Sequence, residues 1–262
     1  MIEQSAFVRS LFVRWVLSRH ILLISLLALT SSLSALVLVI SHVEGEDEDV
    51  QALFAAPDDL EQLINVVKQS LVTIECGGAI GSGWVTELDF SSVTDPSEKE
   101  LVNAYPTAVV TNHHVIESCV SDSALPRTVL PGATGLRRNF EIWDWDEDND
   151  LALILVDARL KPLTESPQEP VGGWWAMAIG SPWEFNSSVS IGNIISTTSG
   201  RTEYDVISSA MLNPGNSGGP LVNSRGEVVG TNTWGVNDPD FGLFYISVAN
   251  RAICEVLVDC GK

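Results

Sequence analysis

The chain has 262 residues, of which 45% are hydrophobic and 18% charged, so it can bury a sizeable core and does not have a disordered composition. Its formal net charge is −20, and Arg9, Arg14 and Arg19 against Glu3 put +2 in the first twenty residues and about −22 in the rest. Such a body repels a polyanion, and beyond the isolated pair Arg137–Arg138 no run of cations is present to grip phosphates, so nucleic acid is not an expected partner.

In chain order, residues 1–20 form a short basic segment and Ile21 to Ile40 follow with no formal charge. At a rise of about 1.5 Å per residue this stretch covers roughly 30 Å, the hydrocarbon thickness of a bilayer. Arginines precede it and Glu44, Glu46, Asp47, Glu48 and Asp49 follow, so the positive-inside tendency places residues 1–20 in the cytoplasm and the body outside. The alternative is a cleaved signal peptide with Ser32 and Ser34 near the cut, which would make the protein secreted. An apolar run reaching Ile40 is longer than a signal core of about 7–15 residues and favours a single-pass anchor.

Residues 41–59 read as an acidic, solvated linker, and the folded domain is expected over 60–262. Leu60, Leu63, Ile64 and Val67 repeat at helical spacing and predict an opening helix over Leu60–Gln69. The period then changes. Runs rich in Val, Ile, Thr and Trp predict strands at Leu71–Glu75, Ala108–Thr111, Leu151–Val156, Trp175–Ile179 and Val189–Ser196. Further strands are predicted at Val206–Ser209, Leu221–Val222, Val228–Trp234 and Leu243–Val248, and a last helix over Val248–Val258. Many short strands without βαβ alternation predict an all-β sandwich or barrel. The stretch from Glu87 to Tyr105 reads as a surface loop. Four cysteines, Cys76, Cys119, Cys254 and Cys260, fit an oxidising compartment. Three connectivities are open; the nearness of Cys254 to Cys260 leaves Cys76 with Cys119 as the natural pairing.

Asn213-Pro-Gly-Asn-Ser-Gly-Gly-Pro-Leu-Val222 sets one serine among glycine and proline neighbours before an apolar strand. Backbone N–H groups there can converge beside an exposed hydroxyl, with Gly215 and Ser217 as donors to an oxyanion. A serine nucleophile needs a base, and that base needs an orienting group. His20 and His42 flank the apolar span, leaving His113 and His114 at the end of a strand; His114, just before Val115-Ile116, is the preferred base. Among Asp144, Asp146, Glu147, Asp148 and Asp150, the last abuts the apolar run Leu151–Val156 and is the candidate for desolvation. A calcium loop starting at Asp144 would need glycine at its sixth position and glutamate at its twelfth, where Asn149 and Leu155 stand.

Gly81-Ser-Gly-Trp-Val85, Thr111-Asn-His-His-Val-Ile116, Asp150-Leu-Ala-Leu153, Ala178-Ile-Gly-Ser-Pro182 and Asn213-Pro-Gly-Asn-Ser-Gly-Gly-Pro220 resemble, in order, the trypsin-like proteases of the Deg/HtrA group. The likeness covers roughly residues 70 to 250. It implies two antiparallel six-stranded β-barrels of chymotrypsin type, with His114 and Asp150 from the first, Ser217 from the second and the active site between them. It implies a serine endopeptidase that works without metal or organic cofactor on protein or peptide substrates. The substrate strand would pair along Thr233, Trp234 and Gly235. Met211 stands where trypsin-like specificity for basic side chains needs an aspartate, so a small or apolar residue is expected before the scissile bond. Asn216 stands where secreted chymotrypsins carry an aspartate that pairs with a new N-terminus, so activation by propeptide cleavage is not expected. Deg/HtrA proteins usually continue into a PDZ domain, and a chain ending at Lys262 has no room for one. The rival reading is a protease-like domain that binds or senses without turnover.

Overall fold

The structure, a computed structural model, describes residues 50–181, 188–197, 202–239 and 242–258. The expected membrane span at 21–40 lies outside them. Among the described residues no helix is long and apolar enough to cross a membrane.

After a 3-10 turn at Ala52–Phe54, helix α1 (Leu60–Gln69) opens on Asp59, whose carboxylate accepts the Gln62 N–H at 2.9 Å. Its apolar stripe lays Leu60, Leu63, Ile64 and buried Val67 on the core. Among the described residues twelve strands follow and close into two antiparallel barrels. The first takes β1 (Leu71–Cys76), β2 (Ala79–Thr86), β3 (Thr107–Thr111), β4 (Arg127–Pro131), β5 (Arg138–Asp146) and β6 (Leu151–Val156), in the spatial order β1-β2-β3-β6-β5-β4. The second takes β7 (Trp175–Gly180), β8 (Ser188–Ser196), β9 (Asp205–Ser208), β10 (Pro220–Val222), β11 (Val228–Asp238) and β12 (Gly242–Ala249), in the order β10-β11-β12-β9-β8-β7.

Strands β6 and β7 read as unbroken apolar runs because both of their faces are covered. In β6, Ala152, Ile154 and Val156 point into the first barrel with Val72, Val109 and Phe140. Leu151, Leu153 and Leu155 alternate to the other side and meet Trp175, Met177 and Ile179 of β7 between the barrels. Ala176 and Ala178 of β7 turn into the second barrel beside Ile194, Val206 and Leu221. The two barrels are further tied by the buried indole of Trp84, which donates Nε1–H to Thr231 Oγ1 at 3.1 Å. Asp150 therefore begins its strand at the seam.

Three expectations change. The stretch from Glu87 to Tyr105 is not all loop: it carries helix α2 (Pro96–Ala104), started by Asp95, whose carboxylate accepts from Ser97 and Glu98, and by proline in the first turn. The histidine pair does not close a strand but opens helix α3 (His113–Ser121). The last helix does not include Val248, which belongs to β12; it shrinks to a turn ending in a π-helical segment at Ile253–Leu257. The disulfide Cys76–Cys119 joins β1 to α3. Cys254 is disulfide-bonded as well, and Cys260 lies outside the described residues.

Candidate active site

Helix α3 follows β3 with a single residue between them, so its first turn is fixed by the barrel. His113, Val115, Ile116 and Cys119 form its buried face, and the His114 side chain, 46% exposed, stands on the open side. In the same barrel, Asp150 ends the β5–β6 turn with φ +52°, the left-handed region that aspartate tolerates better than most residues. That backbone is held at both ends: its N–H donates to Glu147 O at 3.3 Å, and its carbonyl accepts from Asn112 Nδ2 at 2.8 Å. The carboxylate then points one oxygen at each donor of His114. Oδ1 accepts the main-chain N–H at 2.9 Å and Oδ2 lies 2.7 Å from Nδ1. With a carboxylate as acceptor, the imidazole proton sits on Nδ1 and the Nε2 lone pair is left facing outward. The neighbouring acids do other work, since Asp146 Oδ1 accepts from Asn149 N and Nδ2, and Asp144 accepts from Trp145 N.

Ser217 comes from the second barrel, on the loop before β10. Gly215 has φ +97°, and among the described residues neither the Gly215 N–H nor the Ser217 N–H has an acceptor. Ser82, in the Gly81-Ser-Gly83 stretch, braces this loop from the first barrel. Its N–H donates to Ser217 O at 2.8 Å, and its hydroxyl donates to Gly215 O at 2.6 Å and accepts from Ser181 N at 2.7 Å. The Ser217 hydroxyl donates to Thr233 O at 3.1 Å. Thr233 is the extra residue of a bulge in β11, where Asn232 pairs with Ser247 and Trp234 with Ile246. The bulge takes its carbonyl out of the ladder and leaves it for Ser217. The Thr233 hydroxyl accepts from Asn112 Nδ2 at 3.2 Å and donates to Thr231 O at 3.0 Å.

One amide, Asn112, thus touches both Asp150 and Thr233, and so links the His114–Asp150 pair to the Ser217 loop. Nothing in the sequence motifs that contain them marks Asn112 or Ser82 for a role at the site. Their signal was polarity between apolar neighbours, which predicts a buried hydrogen-bonding duty but not its partners. Of the remaining expected residues, Met211 is 49% exposed, Thr233 buried, Trp234 half-buried and Gly235 exposed on β11.

Two closed six-stranded antiparallel β-barrels define a chymotrypsin-type architecture. The sequence profile of the trypsin-like peptidase domain matches residues 81–230, and the chain belongs to that family. It is 36% identical over 135 residues to a probable periplasmic serine endoprotease, DegP-like, of Chlamydia trachomatis, a match covering 48% of this chain and 25% of that protein. It is 33% identical to serine protease HTRA1B of Danio rerio, over 65% of this chain and 33% of that one. Similarity to the putative serine protease HhoB of Synechocystis is 28%, over 76% of this chain and 51% of the other. The chain thus spans between a quarter and about half of the length of these curated relatives. In fold it is similar to the serine endoprotease from Yersinia pestis, with a TM-score of 0.59 at 23% identity over 77% of this chain and 66% of that one. It is also similar to Deg5, with a TM-score of 0.56 at 23% identity over 74% and 90%.

Proposed function

We propose that this protein is a serine endopeptidase that cleaves polypeptides through an acyl-enzyme. Ser217 Oγ attacks the scissile carbonyl, His114 Nε2 takes its proton and later gives it to the leaving amine, and Asp150 stabilises the imidazolium. The N–H groups of Gly215 and Ser217 hold the oxyanion. An extended substrate lies along Thr233, Trp234 and Gly235 of β11, just past Asn232, whose main chain exchanges hydrogen bonds with Gly218 and Gly219. Met211 is read as part of the wall for the residue before the scissile bond.

The observation that carries this reading is the double grip of the Asp150 carboxylate on His114, which fixes the tautomer a general base requires. On this mechanism the Ser217 hydroxyl must leave Thr233 O, which it now holds at 3.1 Å, and turn to Nε2. Because Thr233 O is a main-chain acceptor on the strand assigned to the substrate, a substrate N–H that takes it releases the hydroxyl. The domain is assigned outside the cytoplasm, in line with the cysteines and with the word periplasmic in the name of the chlamydial relative, and tethered by residues 21–40.

The test is fluorophosphonate labelling of the purified protein together with digestion of unfolded casein. Wild type should label at Ser217 and cleave, and Ser217→Ala should do neither. Wild type that never labels would leave a domain that binds without turnover.

A further inference from the structure

Outside the seam, the structure holds a cavity of about 500 Å³ between the β2–β3 insertion, β5 and the end of the chain's last helical turn. None of its lining residues belongs to the proposed catalytic set. Leu88, Phe90 and Val93 come from the insertion, Trp143 from β5, and Leu257 and Val258 from the C-terminal side. Trp143 is the extra residue of a bulge in β5, between the pairs Ile142 with Ile154 and Asp144 with Leu153. Its ring packs edge-on to Phe90 at 5.2 Å between centroids, which gives the cavity an aromatic wall. Among the described residues, the charged residues of the lining are Glu87 and Asp89, both exposed. The Ser91 N–H and hydroxyl hold the Asp89 carboxyl below its ordinary range.

We infer that this cavity is a docking site for a polypeptide segment that carries a bulky apolar side chain flanked by lysine or arginine. An apolar floor takes the side chain; the carboxylates of Glu87 and Asp89 meet the flanking cations; and an indole face adds attraction for a cation beside it. The volume falls in the range of about 300–1,000 Å³ typical of ligand sites and exceeds what one side chain fills, which suits a short peptide run. An acidic segment meets the like charges of Glu87 and Asp89 here. The inference does not rest on Ser217 acting as a nucleophile.

The test uses the full chain carrying Ser217→Ala, so that no probe is cut. Acetyl-Lys-Phe-Lys-amide, with 4-fluorophenylalanine at its centre, is titrated and followed by fluorine NMR, beside the Glu-Phe-Glu analogue with the same centre and free 4-fluorophenethylamine. The basic peptide should bind, the acidic one should not, and Glu87→Lys, at an exposed position, should weaken the basic peptide by about tenfold. Trp143→Leu should weaken it as well, with the melting curve recorded to confirm folding; Glu87→Lys keeps the test decisive if that variant does not fold. Equal binding of both peptides, or binding unchanged by Glu87→Lys, would overturn the inference. 4-Fluorophenethylamine binding as tightly as the peptide would overturn the polypeptide as occupant. If Ser217 proves unreactive, these outcomes stand unaltered.

Discussion

Asn112 donates its side-chain amide to the main-chain oxygen of Asp150 at 2.8 Å, and the same nitrogen reaches the Thr233 hydroxyl at 3.2 Å. The residue is fully buried at the N-cap position of α3, yet it makes no capping hydrogen bond. Its preferred local role has given way to a link between the barrels. Asn112→Ala leaves the Asp150 carbonyl without its donor, at a cost of about 1–3 kcal/mol in stability. It also frees the turn that aims the carboxylate at His114. On the proposed mechanism kcat should fall about tenfold to a hundredfold with KM little changed. Peptide-substrate kinetics beside urea unfolding checks both; an unchanged kcat would remove Asn112 from the positioning network.

Asp150→Asn tests the tautomer directly. The amide oxygen would keep the His114 N–H, as Oδ1 does now at 2.9 Å, and the NH2 group would then face Nδ1. An amide donor there makes Nδ1 the acceptor and moves the imidazole proton to Nε2, where it can no longer receive the proton of Ser217. The expected loss is about 10⁴-fold in kcat with the fold retained. Fluorophosphonate labelling rates and circular dichroism of the variant measure the two parts; labelling at the wild-type rate would contradict the role given to Asp150.

Gly218 is packed where no side chain fits. A Cβ there would lie 2.1 Å from Ser82 O and 2.3 Å from Thr111 Oγ1, and its φ is +83°. Gly78, with φ +93°, has nothing within 4 Å of the same construction. Comparing Gly218→Ala with Gly78→Ala separates the clash from backbone strain. The Gly78 variant should lose about 1 kcal/mol, and the Gly218 variant about 3 kcal/mol or more together with its activity, since the Ser217 loop must shift. Chemical denaturation of both variants gives the comparison; equal losses would mean that the loop accommodates the methyl group.

The elements legible in the sequence were those whose burial follows a simple period. Helix α1 has the expected bounds because one apolar stripe and an aspartate cap define it, and β6 and β7 were legible as apolar runs because both faces are buried. Strands β2, β4 and β5 were not anticipated. In β5, Phe140 is followed by Glu141, Ile142, Trp143 and Asp144, and the bulge at Trp143 breaks the alternation that would have marked it. Helix α2 buries no residue, so its stripe was weak, although Asp95-Pro96 carried a start signal. Of the three side chains expected at the site, His114 is paired with Asp150 and Ser217 bonds to Thr233 O, while the residues bracing these groups, Asn112 and Ser82, act through partners more than thirty residues away. Spacing along the chain cannot specify those contacts.

The disulfide between Cys76 and Cys119 closes a loop of 43 residues that contains β2, β3 and most of α3. Restricting the unfolded chain in this way is worth about 4 kcal/mol by loop-closure entropy. Replacing both cysteines by alanine should lower stability by about 2–4 kcal/mol. Both sulfur positions are fully buried, so mild reductant should act on the native protein only slowly. Equilibrium unfolding of the double variant, beside wild type with and without reductant, gives the value; a loss below about 1 kcal/mol would contradict the loop-closure account.

The last prediction concerns pH. Arg137 donates to both carboxylate oxygens of Glu75 on the first barrel, and this pairing holds the Glu75 carboxyl below its ordinary 4.5, against a smaller opposing effect of burial. A folded-state value below the unfolded one means the stabilisation is complete above the unfolded value and is lost as pH falls through the folded one. The window lies below about pH 5. Both side chains are more than a third exposed, so solvent screening limits the contribution to a few tenths of a kcal/mol. Urea unfolding of wild type and Glu75→Gln should therefore differ slightly at neutral pH and converge on acidification. A gap that widened toward low pH would reverse the sign and refute the assignment.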